Sequence, residues 1–109
     1  MERTEIPPGT LYMLILKSLA RLGPMHGYGI AQHIQLLSED VLQVEEGSLY
    51  PALQRMLIKG WVVAEWGQSE NNRRARFYHL TAAGKKQLSA EISEFERVMA
   101  AIGRVIQPA

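Results

Sequence analysis

The sequence predicts a mostly α-helical chain with one small β-hairpin. Three observations predict it. Stretches around residues 10–22, 27–38 and 46–59 carry apolar residues at spacings of three and four, the period of a half-buried helix. Residues 61–66 and 76–81 are β-branched and aromatic runs flanking a polar stretch that holds Gly67, Asn71 and Asn72. Leu88, Ile92, Phe95, Met99, Ile102 and Ile106 then follow one another at alternating steps of four and three. Three helices, a two-stranded hairpin and a long helix, in that order, make a winged helix-turn-helix with a C-terminal dimerisation helix.

The elements can be justified in turn. Residues 1–9 read as a flexible arm closed by Pro7, Pro8 and Gly9. Thr10 is a candidate cap for the first helix. That helix has Leu11, Leu14, Ile15, Ser18, Leu19 and Leu22 on one stripe. Tyr12, Met13 and Leu16 widen its apolar surface, which suggests a second contact such as another subunit. Gly23 and Pro24 end it. Ile30, Ala31, Ile34 and Leu37 form the buried stripe of the second helix, whose Gly27 and Gly29 permit close packing. A connector over 39–46 tucks Val41, Leu42 and Val44 inward.

The third helix carries Leu49, Leu53, Met56 and Leu57 on one side. Ser48 is its candidate cap, Pro51 falls within its first turn, and Gly60 stops it. Its N-terminal end, with free N–H groups and a partial positive charge, suits a phosphate. After the hairpin, Thr81 caps the last helix. Its seam extends beyond a domain already complete, which points to pairing with a second copy. The division is 1–81 for the winged domain and 82–109 for the dimerisation helix.

Size and composition bound the function. A chain of 109 residues, 47% of them apolar, supports one domain with an appended element and a real core. No apolar run approaches the roughly 20 residues needed to cross a membrane. The opening residues carry both signs of charge and no apolar signal core, so a cytoplasmic location is expected. There is no cysteine, hence no disulfide or thiolate metal site. His26, His33 and His79 are scattered, without partners at ligand spacing, and read as structural. No arrangement of nucleophile, base and carboxylate suggests an enzyme, and no cofactor is expected.

The net charge is only +1, but it is segregated. Residues 1–46 hold three basic and six acidic residues; 47–90 hold seven basic and two acidic; 91–109 hold two basic and three acidic. The middle segment, net +5, contains the third helix and the wing. A polyanion is the partner that this distribution fits. In a winged helix-turn-helix the third helix enters the major groove, and two copies meet successive half-sites of double-stranded DNA.

The residues also resemble a family. Pro24-Met25-His26-Gly27-Tyr28-Gly29-Ile30, Glu46-Gly47-Ser48-Leu49-Tyr50-Pro51-Ala52-Leu53, Gly60-Trp61 and Tyr78-His79-Leu80-Thr81-Ala82-Ala83-Gly84 are similar to the PadR family of bacterial transcriptional regulators. The likeness covers roughly residues 10–90, with a departure at Leu57, where the family usually has an acidic residue. It implies a homodimeric winged-helix repressor of promoter DNA, often released by a small-molecule effector. The single last helix looks like the family's shorter subgroup.

Candidate DNA-binding residues follow. Ser48, Tyr50, Pro51, Gln54 and Arg55 are the groove-facing set; Gln54 suits bidentate pairing with adenine, and Arg55 with guanine or a phosphate. The bland counterpart is a solvated polar helix face, with Tyr50 packed under the wing. Arg73, Arg74 and Arg76 are phosphate ligands at the hairpin tip, with Glu65 as another partner for Arg76. In view of the resemblance, His26 and Tyr28 are phosphate candidates too. Trp61 and Trp66 are expected to pack in the wing. The expected dimer interface is Tyr12, Leu16, Leu88, Ile92, Phe95, Met99, Ile102 and Ile106. Tyr12, Leu16, Phe95 and Met99 are also where an effector would bind. Two other classes remain: a winged helix used only as a protein-interaction module, and a small-ligand binding protein.

Overall fold

One core forms where three short helices meet the base of a hairpin. The computed structural model describes residues 4–108. Its elements are β1 (Thr4–Glu5), α1 (Leu11–Leu22), α2 (Gly27–Leu37), β2 (Leu42–Gln43), α3 (Glu46–Ile58), β3 (Val62–Gln68), β4 (Arg74–Leu80) and α4 (Ala82–Ile106). Ile15, Leu16 and Leu19 of α1 pack with Ile30 and Ile34 of α2 and with Leu49, Ala52, Leu53 and Met56 of α3. Val62, Tyr78 and Leu88 close the core from the hairpin and α4. The predicted stripes supply most of this core because side chains three and four apart share a helix face. Among the described residues no helix is long and apolar enough to cross a membrane.

β3 and β4 pair antiparallel from Val62 opposite Leu80 to Gln68 opposite Arg74. Both strands run further toward the tip than the apolar runs indicate. The turn is correspondingly tight. Asn72 N–H donates to the Ser69 carbonyl at 2.9 Å, and Asn72 adopts a left-handed φ of 58°, which asparagine tolerates. On its other edge, β4 is joined by Met25, whose backbone exchanges two hydrogen bonds with Tyr78 at 3.2 and 2.9 Å. That ties the start of α2 to the wing.

Several local expectations are corrected. Thr10 does not cap α1 through its side chain; its hydroxyl donates backward to the Pro7 carbonyl at 2.8 Å. Glu45, not Ser48, is the N-cap of α3, so Ser48 lies inside the first turn and Pro51 inside the helix. The missing N–H of Pro51 leaves the carbonyl of Gly47 without its helical donor. Gly47 is exposed, so water can take that place. The arm is not free where it is described: β1 pairs in parallel with β2, Thr4 opposite Leu42, and Ile6 packs on the core. The rest of the predicted arm, residues 1–3, lies outside the described residues. In the connector, Leu42 and Val44 do pack inward, but Val41 is largely exposed. Glu39 and Asp40 both take left-handed backbone angles there, φ 52° and 68°.

The start of α4 is held as expected. Thr81 accepts a hydrogen bond from Gly84 N–H at 3.0 Å, and its own hydroxyl donates to the Gly60 carbonyl at 2.7 Å. The interface expectation changes at this end. Leu16 is 0% exposed and Leu88 is buried, both inside the core of a single copy, so neither has surface to offer a second one. Ile92 is also packed against that core. From Phe95 onward, Met99, Ile102 and Ile106 are exposed.

Candidate nucleic-acid interface

At about 100° per residue, α3 has a buried side and an outward arc. Leu49, Ala52, Leu53 and Met56 face the core. Pro51 and Gln54 sit near the middle of the exposed arc; Ser48 and Arg55 lie on one flank and Tyr50 on the other. The five groove-facing candidates are therefore all on the solvent side, but they do not stand alike. Gln54 is exposed, with its amide projecting from the centre of the arc. Arg55 is engaged within the chain: its Nε–H donates to the Tyr12 hydroxyl at 2.5 Å, and its guanidinium lies 5.6 Å from the Tyr12 ring centroid.

Tyr50 leans toward α2. A methyl group on Gly27 would come within 2.8 Å of the Tyr50 ring, so the absence of a side chain at Gly27 admits the ring. Partial burial, then the Glu46 carboxylate, then Tyr78 raise the pKa of the Tyr50 phenol above its usual value. It is a neutral donor throughout the physiological range. The N-terminal end of α3 departs from the expected phosphate site, because Glu45 and Glu46 stand there, both exposed. Two carboxylates already answer the helix dipole at that end.

The wing carries the clearest cationic surface. Opposed residues in an antiparallel pair share a face, so Trp66, Arg76 and Arg74 lie on one side of the hairpin with Tyr78 and Val62. The base of that side packs on the helices through Val62 and Tyr78, and Arg76 lies 6.0 Å from the Tyr78 ring. Arg73 sits at the turn and is exposed. Among the described residues no carboxylate pairs with Arg73, Arg74 or Arg76. Glu65, the partner suggested for Arg76, lies on the other face and contacts His79, with Oε1 2.7 Å from Nε2 at ion-pair distance but without hydrogen-bond alignment. His79 is thus half-covered rather than turned freely to solvent.

His26 caps α2: its Nδ1 accepts from Gly29 N–H at 3.0 Å. With Nδ1 occupied as an acceptor, a neutral ring carries its proton on Nε2. The ring stacks beside Tyr28, centroids 6.5 Å apart, and meets the edge of Phe77 at 5.3 Å. Tyr28 is 64% exposed. The start of α2 thus presents a polar aromatic pair close to β4.

Tyr12 is half-buried and engaged within the chain: its ring packs edge-on against Trp61 at 5.5 Å and its hydroxyl accepts from Arg55. Of the four residues expected around an effector, only Phe95 lines the open groove between the start of α1 and α4. That groove, about 420 Å³, is bounded by Pro8, Met13, Glu91, Phe95 and Val98.

Two features escape sequence reasoning. Trp66 is not wing core; it is 59% exposed under the arginines of β4. That it shares a strand face with the buried Val62 and the half-buried Ala64 is legible from its spacing, but where the body ends beneath the strand is not. Gly84 is the second, packed so closely on Trp61 that no side chain fits.

A model of the transcriptional regulator PadR-like family matches residues 15–90. A protein of Lysinibacillus sphaericus named uncharacterized protein X is 30% identical over 98 residues, spanning 90% of this chain and 89% of that one. Among solved structures, a transcriptional regulator from Clostridium thermocellum is similar with a TM-score of 0.82 at 24% identity, over 91% of this chain and 95% of that one. A PadR family transcription regulator from Clostridium difficile R20291 is similar with a TM-score of 0.74 at 27% identity, over 90% and 99%.

Proposed function

The chain belongs to the PadR-like family of transcriptional regulators, and from that premise we propose that it binds double-stranded promoter DNA as a homodimer and represses transcription. One observation carries the reading: Tyr78 lies near enough to Tyr50 on the flank of α3 to raise its pKa, and the Arg76 guanidinium lies 6.0 Å from the same Tyr78 ring, so the helix and the unpaired arginines of the wing meet through one residue. Gln54, beside Pro51, is the residue placed to read a base edge, with Ser48 and Tyr50 flanking it. Arg73, Arg74 and Arg76 neutralise phosphates, and His26 and Tyr28 add contacts at the start of α2. Arg55 donates its Nε–H to Tyr12, and its terminal N–H groups remain for DNA.

The division of labour places DNA binding in 1–81 and dimerisation in 82–109. Support for the second part is the row of Phe95, Met99, Ile102 and Ile106, exposed on α4 at coiled-coil spacing. Leu16 and Leu88 lie in the core beneath it, Ile92 marks where the row leaves the core, and Tyr12 remains an interface candidate on α1. A small-molecule effector would occupy the groove beside Phe95 and Met13, next to this seam. By favouring one dimer geometry it would change the distance between the two α3 helices. The cytoplasm is the compartment this role requires.

The experiment is fluorescence anisotropy of a labelled duplex from upstream of the chain's own gene, against a scrambled duplex, over a salt series. Tight, salt-sensitive binding to the first supports the reading. Reversing charge at Arg73 and Arg74 abolishes that binding and leaves the dimer intact. A dimer that binds neither duplex at low salt overturns the reading in favour of a protein-interaction module.

A further inference from the structure

The wing holds an aromatic ring that the core does not use. Trp66 projects from β3 with more than half its surface in solvent. Its cross-strand neighbour is Arg76, and Arg74 lies next along the same face. The Arg74 guanidinium is 4.6 Å from the centroid of the indole ring, and that of Arg76 is 5.9 Å away. Arg76 also lies 6.0 Å from the ring of Tyr78. A guanidinium over an aromatic ring uses its flat face and leaves its N–H edges directed elsewhere. A carboxylate partner would take those edges and cancel the charge, and among the described residues none does so here.

We propose that Trp66 is a positioning residue that holds Arg74 and Arg76 with their N–H edges outward, ready for DNA phosphates. This rests on the DNA-binding reading above and names a residue that reading does not contain. A free arginine loses rotamer freedom when it grips a phosphate. One already stacked on an indole has lost part of that freedom in folding, so more of the phosphate interaction appears as affinity. The twofold array also fixes the spacing of two donors along one strand face, which suits successive phosphates better than two independent side chains do.

The test is a double-mutant cycle on the full-length chain. The probe is a fluorescein-labelled short duplex of mixed sequence at low salt, because phosphate contacts are independent of sequence. Trp66→Ala weakens binding roughly tenfold while lowering the thermal midpoint only slightly, since the ring is outside the core and only an exposed cross-strand pair is lost. Trp66→Phe restores most of the affinity, because a flat ring remains. In an Arg74→Ala background the loss from Trp66→Ala shrinks to less than half, since the nearest guanidinium it held is gone. The proposal is overturned if Trp66→Ala binds as the unmodified chain does, or if its loss is undiminished without Arg74, which would mean the indole touches DNA itself. Phenylalanine behaving no better than alanine also overturns it. Failure of the DNA reading looks different: the unmodified chain itself shows no salt-sensitive retention of the duplex, and both fall together.

Discussion

Of the glycines, Gly84 has the least room. A Cβ there would collide with the carbonyl oxygen of Trp61 and lie 2.7 Å from Leu80 Cδ1. That carbonyl is backbone and already receives the Thr81 N–H at 3.1 Å, so it cannot swing away. Gly84→Ala should therefore destabilise the chain by about 2 kcal/mol, read as a lower midpoint in urea unfolding with an unchanged slope. The Thr81 cap was legible, because a threonine before an amphipathic run has a local reason to be there. The need for Gly84 was not, because it arises from a loop more than twenty residues earlier. Tyr50 gives a prediction of another kind. Its folded-state pKa is raised by burial first, then by Glu46 and Tyr78, so folding favours the neutral phenol. That contribution is fully present below the unfolded value of about 10 and is lost as pH rises through the folded value. Tyr50→Phe should unfold less steeply with rising alkalinity than the unmodified chain, measured by denaturant midpoints at a series of pH values above about 10.

At the scale of elements, one repeat on α4 serves the core and, in the proposed dimer, the seam. Leu88 and Ile92 belong to the core of their own chain, while Met99 and Ile102 are each nearly half exposed. The helix and its register were legible because the alternating steps of four and three persist to its end. Its partition was not, since core and seam share the same period and only the length of the body decides where one becomes the other. Ile102→Asp should leave the core intact and place a charge in the proposed seam. Sedimentation should then find a monomer with an unchanged helical circular-dichroism signal and weakened DNA binding; a dimer surviving the change would remove α4 as the interface. The α3 start shows the opposite case. A serine followed by a proline imitates a helix entrance, yet α3 begins at Glu46 and runs through Pro51. Burial of Leu49, Ala52 and Leu53 on the core outweighs the hydrogen bond that proline lacks.

For the molecule as a whole, a net charge of +1 conceals a division that the fold makes spatial. The acidic first segment and the basic middle one are brought together around a common core, but the arginines are displaced to the wing. Affinity for DNA should fall linearly with the logarithm of salt concentration. Arg73→Ala should reduce that slope by about 1, the amount expected for one lost phosphate contact, without altering the preference between duplexes. An unchanged slope would place Arg73 outside the interface. The three-helix and hairpin order could be read from the sequence because each element has its own local period. The coupling between elements could not, and the parallel pairing of Thr4–Glu5 with Leu42–Gln43 is its plainest example. That pairing closes a loop of about 40 residues containing both α1 and α2, with only two residues in each strand to hold it. Such a clasp gains little per residue beyond what the packing of α1 and α2 has already closed. It is expected to open locally before the helices do, so limited proteolysis of the native protein should cut at the Thr4–Glu5 strand first.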